Sequence, residues 1–196
     1  MEKPFAPACE RNKDVILALL KEILAECRAV LEIGSGTGQH AVVFAAGMPH
    51  LHWHTSDRSM YLEGIRAWVA DSGLVNISHP LELDAGEPWQ VPVVDAFFTA
   101  NTLHIMSWPL CQQLIGKVGA NLPSGGRFCA YGPFNYGGAY SSESNAQFDI
   151  WLKQRDELSA IRHFEHVVAE AEAAGLRLID DHAMPANNRL LHFQKD

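Results

Sequence analysis

Glu32, Gly34, Gly36 and Gly38 stand at alternate positions at the end of an apolar run, Ala29 to Ile33, and a helical segment follows from about Gln39. Glycine has no Cβ, so a turn rich in it takes positive φ and lets a ligand lie against bare backbone. The N–H groups that open the next helix then point at that ligand. The nearby carboxylate of Glu32 favours a ligand that is cationic or rich in hydrogen-bond donors. The dinucleotide fingerprint G-x-G-x-x-G puts its third glycine three positions after the second. Here that position is Gln39, and the third glycine falls one residue earlier, at Gly38. A pyrophosphate would also be repelled by Glu32. A ligand-free strand-to-helix turn would account for two glycines but poorly for three and an acid.

Other side chains can be placed by one rule: ligands of open α/β sheets bind outside the carboxyl ends of the strands. Asp57 follows the second apolar segment, 21 residues after Gly36, and a carboxylate there can accept from both hydroxyls of a ribose. The competing reading is a cap for the segment that begins near Ser59, and the glycine turn favours the ribose. Asp84 follows the third segment, where it could accept from an adenine amino group or serve as a loop aspartate. Asn101 ends the fourth and offers both a donor and an acceptor. His104, three residues on, titrates near neutrality and is a candidate general base; a structural histidine is the competing reading.

Composition narrows the partners. The chain has 196 residues, 47% hydrophobic and 19% charged, enough for one domain (1–196) with a substantial core. Lys and Arg number 15 against 23 Asp and Glu, a net charge of -8. With no basic cluster, this argues against nucleic acid and for a small-molecule substrate. No apolar run approaches a membrane span, and the N-terminus lacks the apolar stretch of a secretory signal. The expected location is cytoplasmic. Cys9, Cys27, Cys111 and Cys129 form no CxxC pair; Cys27 and Cys129 are expected to be buried thiols. His50, His52 and His54 alternate onto one strand face, read as a polar face rather than a metal site.

The elements that must position these residues follow from periodicity. Val15, Ile16, Leu19, Leu20, Ile23 and Leu24 make one helical face, with Asn12 as the expected cap. Strands are predicted at about Ala29–Ile33, Leu51–Thr55, Ile77–Leu83, Val93–Ala100 and Arg127–Tyr131. Helices are predicted from Gln39, around Leu62 to Val69, after Ser107, from Ala146 to Lys153 and from Arg162 to Ala174, with Gly73 and Gly175 as stop signals. A polar loop spans Gly132 to Asn145. Leu176–Asp181 and Arg189–Gln194 are too close for a crossover helix and are expected to pair antiparallel. The alternation implies an α/β doubly wound, seven-stranded, mostly parallel sheet whose last strand is reversed.

E-x-G-x-G-x-G resembles motif I of the class I S-adenosylmethionine (SAM)-dependent methyltransferases. Across essentially its whole length the chain also resembles the family of the domain of unknown function 938, which includes methyltransferase-like protein 26. That resemblance rests on Arg11-Asn12-Lys13, Glu32 to His40, Ser56-Asp57 and Ala100 to Ile105. It extends through Tyr131-Gly132-Pro133-Phe134, Ser144-Asn145, Phe148-Asp149, Arg155-Asp156, Ile161-Arg162 and Met184 to Asn188. Where the family often carries a tryptophan-glycine pair before the Ile-Arg step, this chain has Ser159-Ala160, so the family's pocket does not carry over at that point.

The resemblance implies a Rossmann-like methyltransferase fold with SAM as cofactor. The cofactor-binding candidates are Arg11, Asn12, Glu32, Gly34, Ser35, Gly36, Gly38, Asp57, Asp84 and Asn101, with Arg11 placed to pair with the methionine carboxylate. His104, Tyr131 and Asp149 are the catalytic candidates. Phe134, Asn135, Asn145, Asn187 and Asn188 are the substrate candidates, around an acceptor held between the long loop and the turn before the last strand. The asparagine pair can also simply form a tight turn. The competing functions are a non-catalytic SAM-binding protein on the same fold and an NAD-dependent oxidoreductase.

Overall fold

The computed structural model describes residues 3–196. In chain order the elements are α1 (Pro7–Ile23), β1 (Ala29–Ile33), α2 (Gln39–Gly47), β2 (His52–Asp57), α3 (Leu62–Ser72), β3 (Leu81–Glu82) and β4 (Ala96–Ala100). There follow α4 (Trp108–Asn121), β5 (Arg127–Gly132), β6 (Phe134–Asn135), α5 (Glu143–Arg155), β7 (Arg162–His163), α6 (Phe164–Ala173), β8 (Leu176–Met184) and β9 (Asn188–Lys195). Seven strands form one sheet in the order β3-β2-β1-β4-β5-β9-β8, and β6 and β7 make a separate two-stranded ribbon. β9 runs antiparallel to both β5 and β8, whereas β1 pairs in parallel with β2 and β4. The expected seven-stranded, mostly parallel α/β sheet with a reversed last strand is therefore present. No helix among the described residues is long and apolar enough to cross a membrane.

The chain divides into two compact units, Met1–Thr99 and Ala100–Asp196. In the first, β1 and β4 are apolar throughout or nearly so, as strands covered on both faces must be. Val30, Leu31, Phe97 and Phe98 are fully buried. Phe44 from α2 meets Trp53 and Phe98 edge-on, each at 5.6 Å between ring centroids, a favoured aromatic geometry. In the second unit, Leu114, Ile115 and Val118 of α4 and Val167 of α6 are buried, as are Phe128, Leu191 and Phe193.

Several boundaries differ from the periodicity-based expectation. α1 begins at Pro7, not after Asn12, so Asn12 lies within the helix and does not cap it. The signal was Pro7 itself, a residue suited to the first helical turn. β3 is only two residues long, although Ile77 makes an isolated parallel bridge to Trp53. The expected Gly132–Asn145 loop contains β6, and α5 starts at Glu143, with Ser142 Oγ accepting from the Asn145 N–H at 3.1 Å. β8 and β9 run longer than expected, leaving only residues 185–187 to connect them. Cys129 is buried as expected, but Cys27 is only half-buried. His52 and His54 share a face, their rings 4.6 Å apart, and both hydrogen-bond to Ser78 Oγ.

Candidate functional site

In the first unit, the glycine turn joins β1 to α2 at the carboxyl ends of β1 and β2. Gly34, Gly36 and Gly38 all have positive φ, at 73°, 57° and 90°, which explains why glycine recurs there. Their surroundings differ. A Cβ on Gly38 would lie 3.1 Å from Ile65 Cα and 3.2 Å from Trp68 Cβ, so this glycine lets α3 pack close. A Cβ on Gly36 would meet nothing within 4 Å. The middle glycine thus bares backbone toward open space.

The turn is pinned from below. The Ser35 N–H donates to Ser56 O at 2.9 Å, Ser56 Oγ to Glu32 O at 2.6 Å, and Thr99 Oγ1 to Ile33 O at 2.9 Å. Glu32 is 1% exposed, and its Oε2 accepts from Ser35 Oγ at 2.9 Å and Trp53 Nε1 at 3.2 Å. Burial raises its carboxyl to about 7, against the opposing pull of those two hydrogen bonds. Asp57 accepts from the Gly36 N–H at 2.8 Å through Oδ2 and from the Arg58 N–H at 2.7 Å through Oδ1. Burial pushes its carboxyl up. Each oxygen keeps a further lone pair, so two hydroxyl donors can still be accepted.

The N-terminal segment closes on the same turn. The Ala6 N–H donates to Gln39 Oε1 at 2.5 Å, Thr37 Oγ1 to the same atom at 3.1 Å, and Trp68 Nε1 to Pro4 O at 2.7 Å. Asn12 Oδ1 lies 2.7 Å from His40 Nε2. Cys9 sits beside Thr37, and burial, with Glu32 near, raises its thiol to about 11, so it is inert. Gln39 is 3% exposed, yet its Nε2 has no hydrogen-bond partner. This buried donor at the start of a helix was missed in the sequence, where Gln39 registered only as the place a dinucleotide glycine should occupy. Ala6, which donates to Gln39 Oε1, lies 33 positions away, beyond any local pattern. Arg11 is exposed on α1. Asp84 shapes its own loop, Oδ1 accepting from the Gly86 N–H at 2.8 Å and its carbonyl from Trp89 Nε1 at 2.9 Å.

In the second unit, Asn101 has φ 57°, and its N–H donates to Tyr131 O at 2.8 Å. His104 is 6% exposed and packs edge-on against Phe148 at 5.3 Å. Burial, reinforced by the positive charge of Arg162, lowers its ring to about 4, so it is neutral and weakly basic at physiological pH. Asp149 is fully engaged. Oδ1 accepts from the Ile161 N–H at 2.7 Å, and Oδ2 accepts from Tyr140 OH at 2.8 Å and pairs with Lys153 at 2.6 Å. Burial raises its carboxyl, but the Lys153, Ile161 and Tyr140 bonds outweigh that and hold it below its ordinary value. Tyr131 and Phe134 are buried.

Three of the four remaining candidate asparagines form one structural knot. Asn145 Nδ2 donates to Ser141 Oγ and to Asn187 O, Asn187 has φ 57°, and Asn188 Nδ2 donates to Pro185 O and Ala186 O. Asn187 and Asn188 therefore close the β8–β9 turn. Asn135 behaves differently: it faces a cavity of about 170 Å³ that also takes in Asp149, Tyr140 and Lys153.

This strand order, with a long antiparallel β8–β9 pair beside β5, defines the fold of the class I methyltransferases. The chain belongs to the family described as "Protein of unknown function (DUF938)", whose model matches residues 3–195. Among solved structures it is similar to an O-methyltransferase family protein from Burkholderia thailandensis, with TM-score 0.85 and 15% identity over 96% of this chain and 57% of that one. It is also similar to the SAM-dependent methyltransferase SibL in its apo form, at TM-score 0.82 and 21% identity over 96% and 55% of the two chains. PigF, solved with SAH (S-adenosylhomocysteine), matches at TM-score 0.78 and 17% identity over 92% and 61%. The chain spans little more than half the length of these proteins.

Proposed function

We propose that this chain is a SAM-dependent methyltransferase acting on a small-molecule acceptor. The observation that carries the proposal is the turn at Gly36: its backbone faces open space, its N–H is held by Asp57, and the rest of the turn is tightly pinned. The residues fit SAM on their own chemistry. Asp57 can accept from two ribose hydroxyls. The unpartnered Gln39 Nε2, at the start of α2, is placed to donate to a carboxylate. Glu32, beneath the turn, favours a cationic ligand. Asp84 is proposed for the adenine side, and Arg11 and Asn12 for the methionine side.

When bound, SAM supplies a methyl group already activated by the sulfonium. The protein's part is then chiefly alignment and water exclusion, which contribute several kcal/mol. An acceptor that bears a proton at working pH also needs a base. Of the candidates, Asp149 is held ionised and paired, and His104 is neutral but weakly basic. His104 and Tyr131 remain the proposed acceptor-facing groups, and an acceptor already deprotonated, or one that loses its proton to water, suits them best. The same two observations favour a second reading, in which the chain binds SAM without turnover.

Release of SAH from SAM, followed by mass spectrometry across fractionated small-molecule pools, separates the two. Turnover by the wild type that is lost in Asp57→Ala supports the enzyme. SAM bound with no SAH formed in any fraction supports the second reading.

A further inference from the structure

The cavity in the second unit has a chemistry of its own. One wall is the ribbon in which β6 and β7 pair in parallel, with Phe134 opposite Arg162 and Asn135 opposite His163. Asn135 is 5% exposed and its Oδ1 has no hydrogen-bond partner, while its Nδ2 makes only a long 3.5 Å contact to Ile161 O. Flipping the amide does not help, because an oxygen would then face the Ile161 carbonyl and the nitrogen would be left unpaired. A buried acceptor left unsatisfied is costly, so a donor supplied by a ligand relieves that cost.

A second wall is cationic. Arg162 is 9% exposed and donates to the carbonyls of Leu103, Met106 and Leu158. None of the ion pairs among the described residues includes it. Buried charges are ordinarily paired. Lys153, at the rim, is paired with Asp149 at 2.6 Å, so the net positive charge around the cavity is that of Arg162. The third element is aromatic: Trp108 and His166 approach at 6.1 Å, with His163 and Tyr140 beside them. At about 170 Å³ the space is well below the roughly 300 Å³ where drug-sized pockets begin.

We infer that this cavity is a binding site for a small aromatic carboxylate bearing a hydrogen-bond donor. The carboxylate lies toward Arg162, the donor meets Asn135 Oδ1, and the ring lies among the aromatic side chains. The site is built within one unit of the chain and stands whether or not the chain transfers methyl groups.

Calorimetric titration of the intact protein with 4-hydroxybenzoate, without SAM, tests it. Binding is expected, weakened at least tenfold when the phenol is blocked (4-methoxybenzoate) or the charge removed (4-hydroxyacetophenone). Asn135→Asp, which keeps the shape but adds negative charge, is expected to weaken 4-hydroxybenzoate at least tenfold. The three-probe comparison on the wild type does not depend on that variant's folding. No binding of 4-hydroxybenzoate, or equal affinity for all three probes, overturns the assignment.

Discussion

Replacing Glu32 by Gln probes the turn where its physics is sharpest. The carboxyl sits at about 7 in the folded protein against an ordinary value of 4.5, chiefly because it is buried. Below pH 4.5 both folded and unfolded chains hold the proton, and ionisation has no effect on stability. Between 4.5 and 7 the unfolded chain releases it while the folded one retains it, so stability falls as pH rises. Above 7 the loss levels off at about 3 kcal/mol, from about 1.4 kcal/mol per pH unit. Glutamine keeps an oxygen for Ser35 Oγ and Trp53 Nε1 but does not titrate. The stability difference, Glu32→Gln minus wild type, should therefore grow by about 3 kcal/mol from pH 4 to pH 8. Urea denaturation of both proteins across that range measures it. His40, His104 and His192, all lowered to about 4 by burial, titrate in both proteins and cancel in the difference. A difference that does not change with pH would refute the argument. Under the proposed function the ionised carboxylate attracts a cationic ligand, so the same substitution is expected to weaken SAM binding.

The three glycines should not respond alike. Gly36→Ala introduces a positive-φ penalty of about 1–2 kcal/mol with no clash, so thermal unfolding shifts modestly while SAH binding is lost; Gly38→Ala adds overpacking against Ile65 and Trp68 of about 1–3 kcal/mol more, seen as a larger drop in Tm. The His104 ring should stay neutral from pH 8 down to 5, which an NMR titration of its carbon-bound protons reads directly. Asp149→Ala strands the buried Ile161 N–H and costs about 1–3 kcal/mol in chemical denaturation, the behaviour of a structural carboxylate rather than a base.

What the sequence made legible was whatever depends on neighbours along the chain. β1 has the boundaries its apolar run implied, α2 begins at Gln39, and Gly73 and Gly175 take positive φ where helices stop. Three glycines with an acid located the turn, but not the division of labour between Gly36, which faces open space, and Gly38, which lets α3 approach. Groups whose partners are distant in sequence escaped. Asn12 read as a cap because the apolar face begins at Val15; its partner is His40, 28 positions on. Asp149 read as a base because a lone acid gives no hint that Tyr140, Lys153 and Ile161 all converge on it. The β6–β7 ribbon is too short to show any period, and with it the Arg162 side of the cavity stayed invisible.

The most direct measurement is calorimetric titration of SAH into wild-type protein and into Asp57→Ala. One-to-one binding by the wild type, lost or reduced at least tenfold in the variant, is the predicted result. A wild-type protein that takes up no SAH would contradict the assignment of the Gly36 turn as a cofactor cradle.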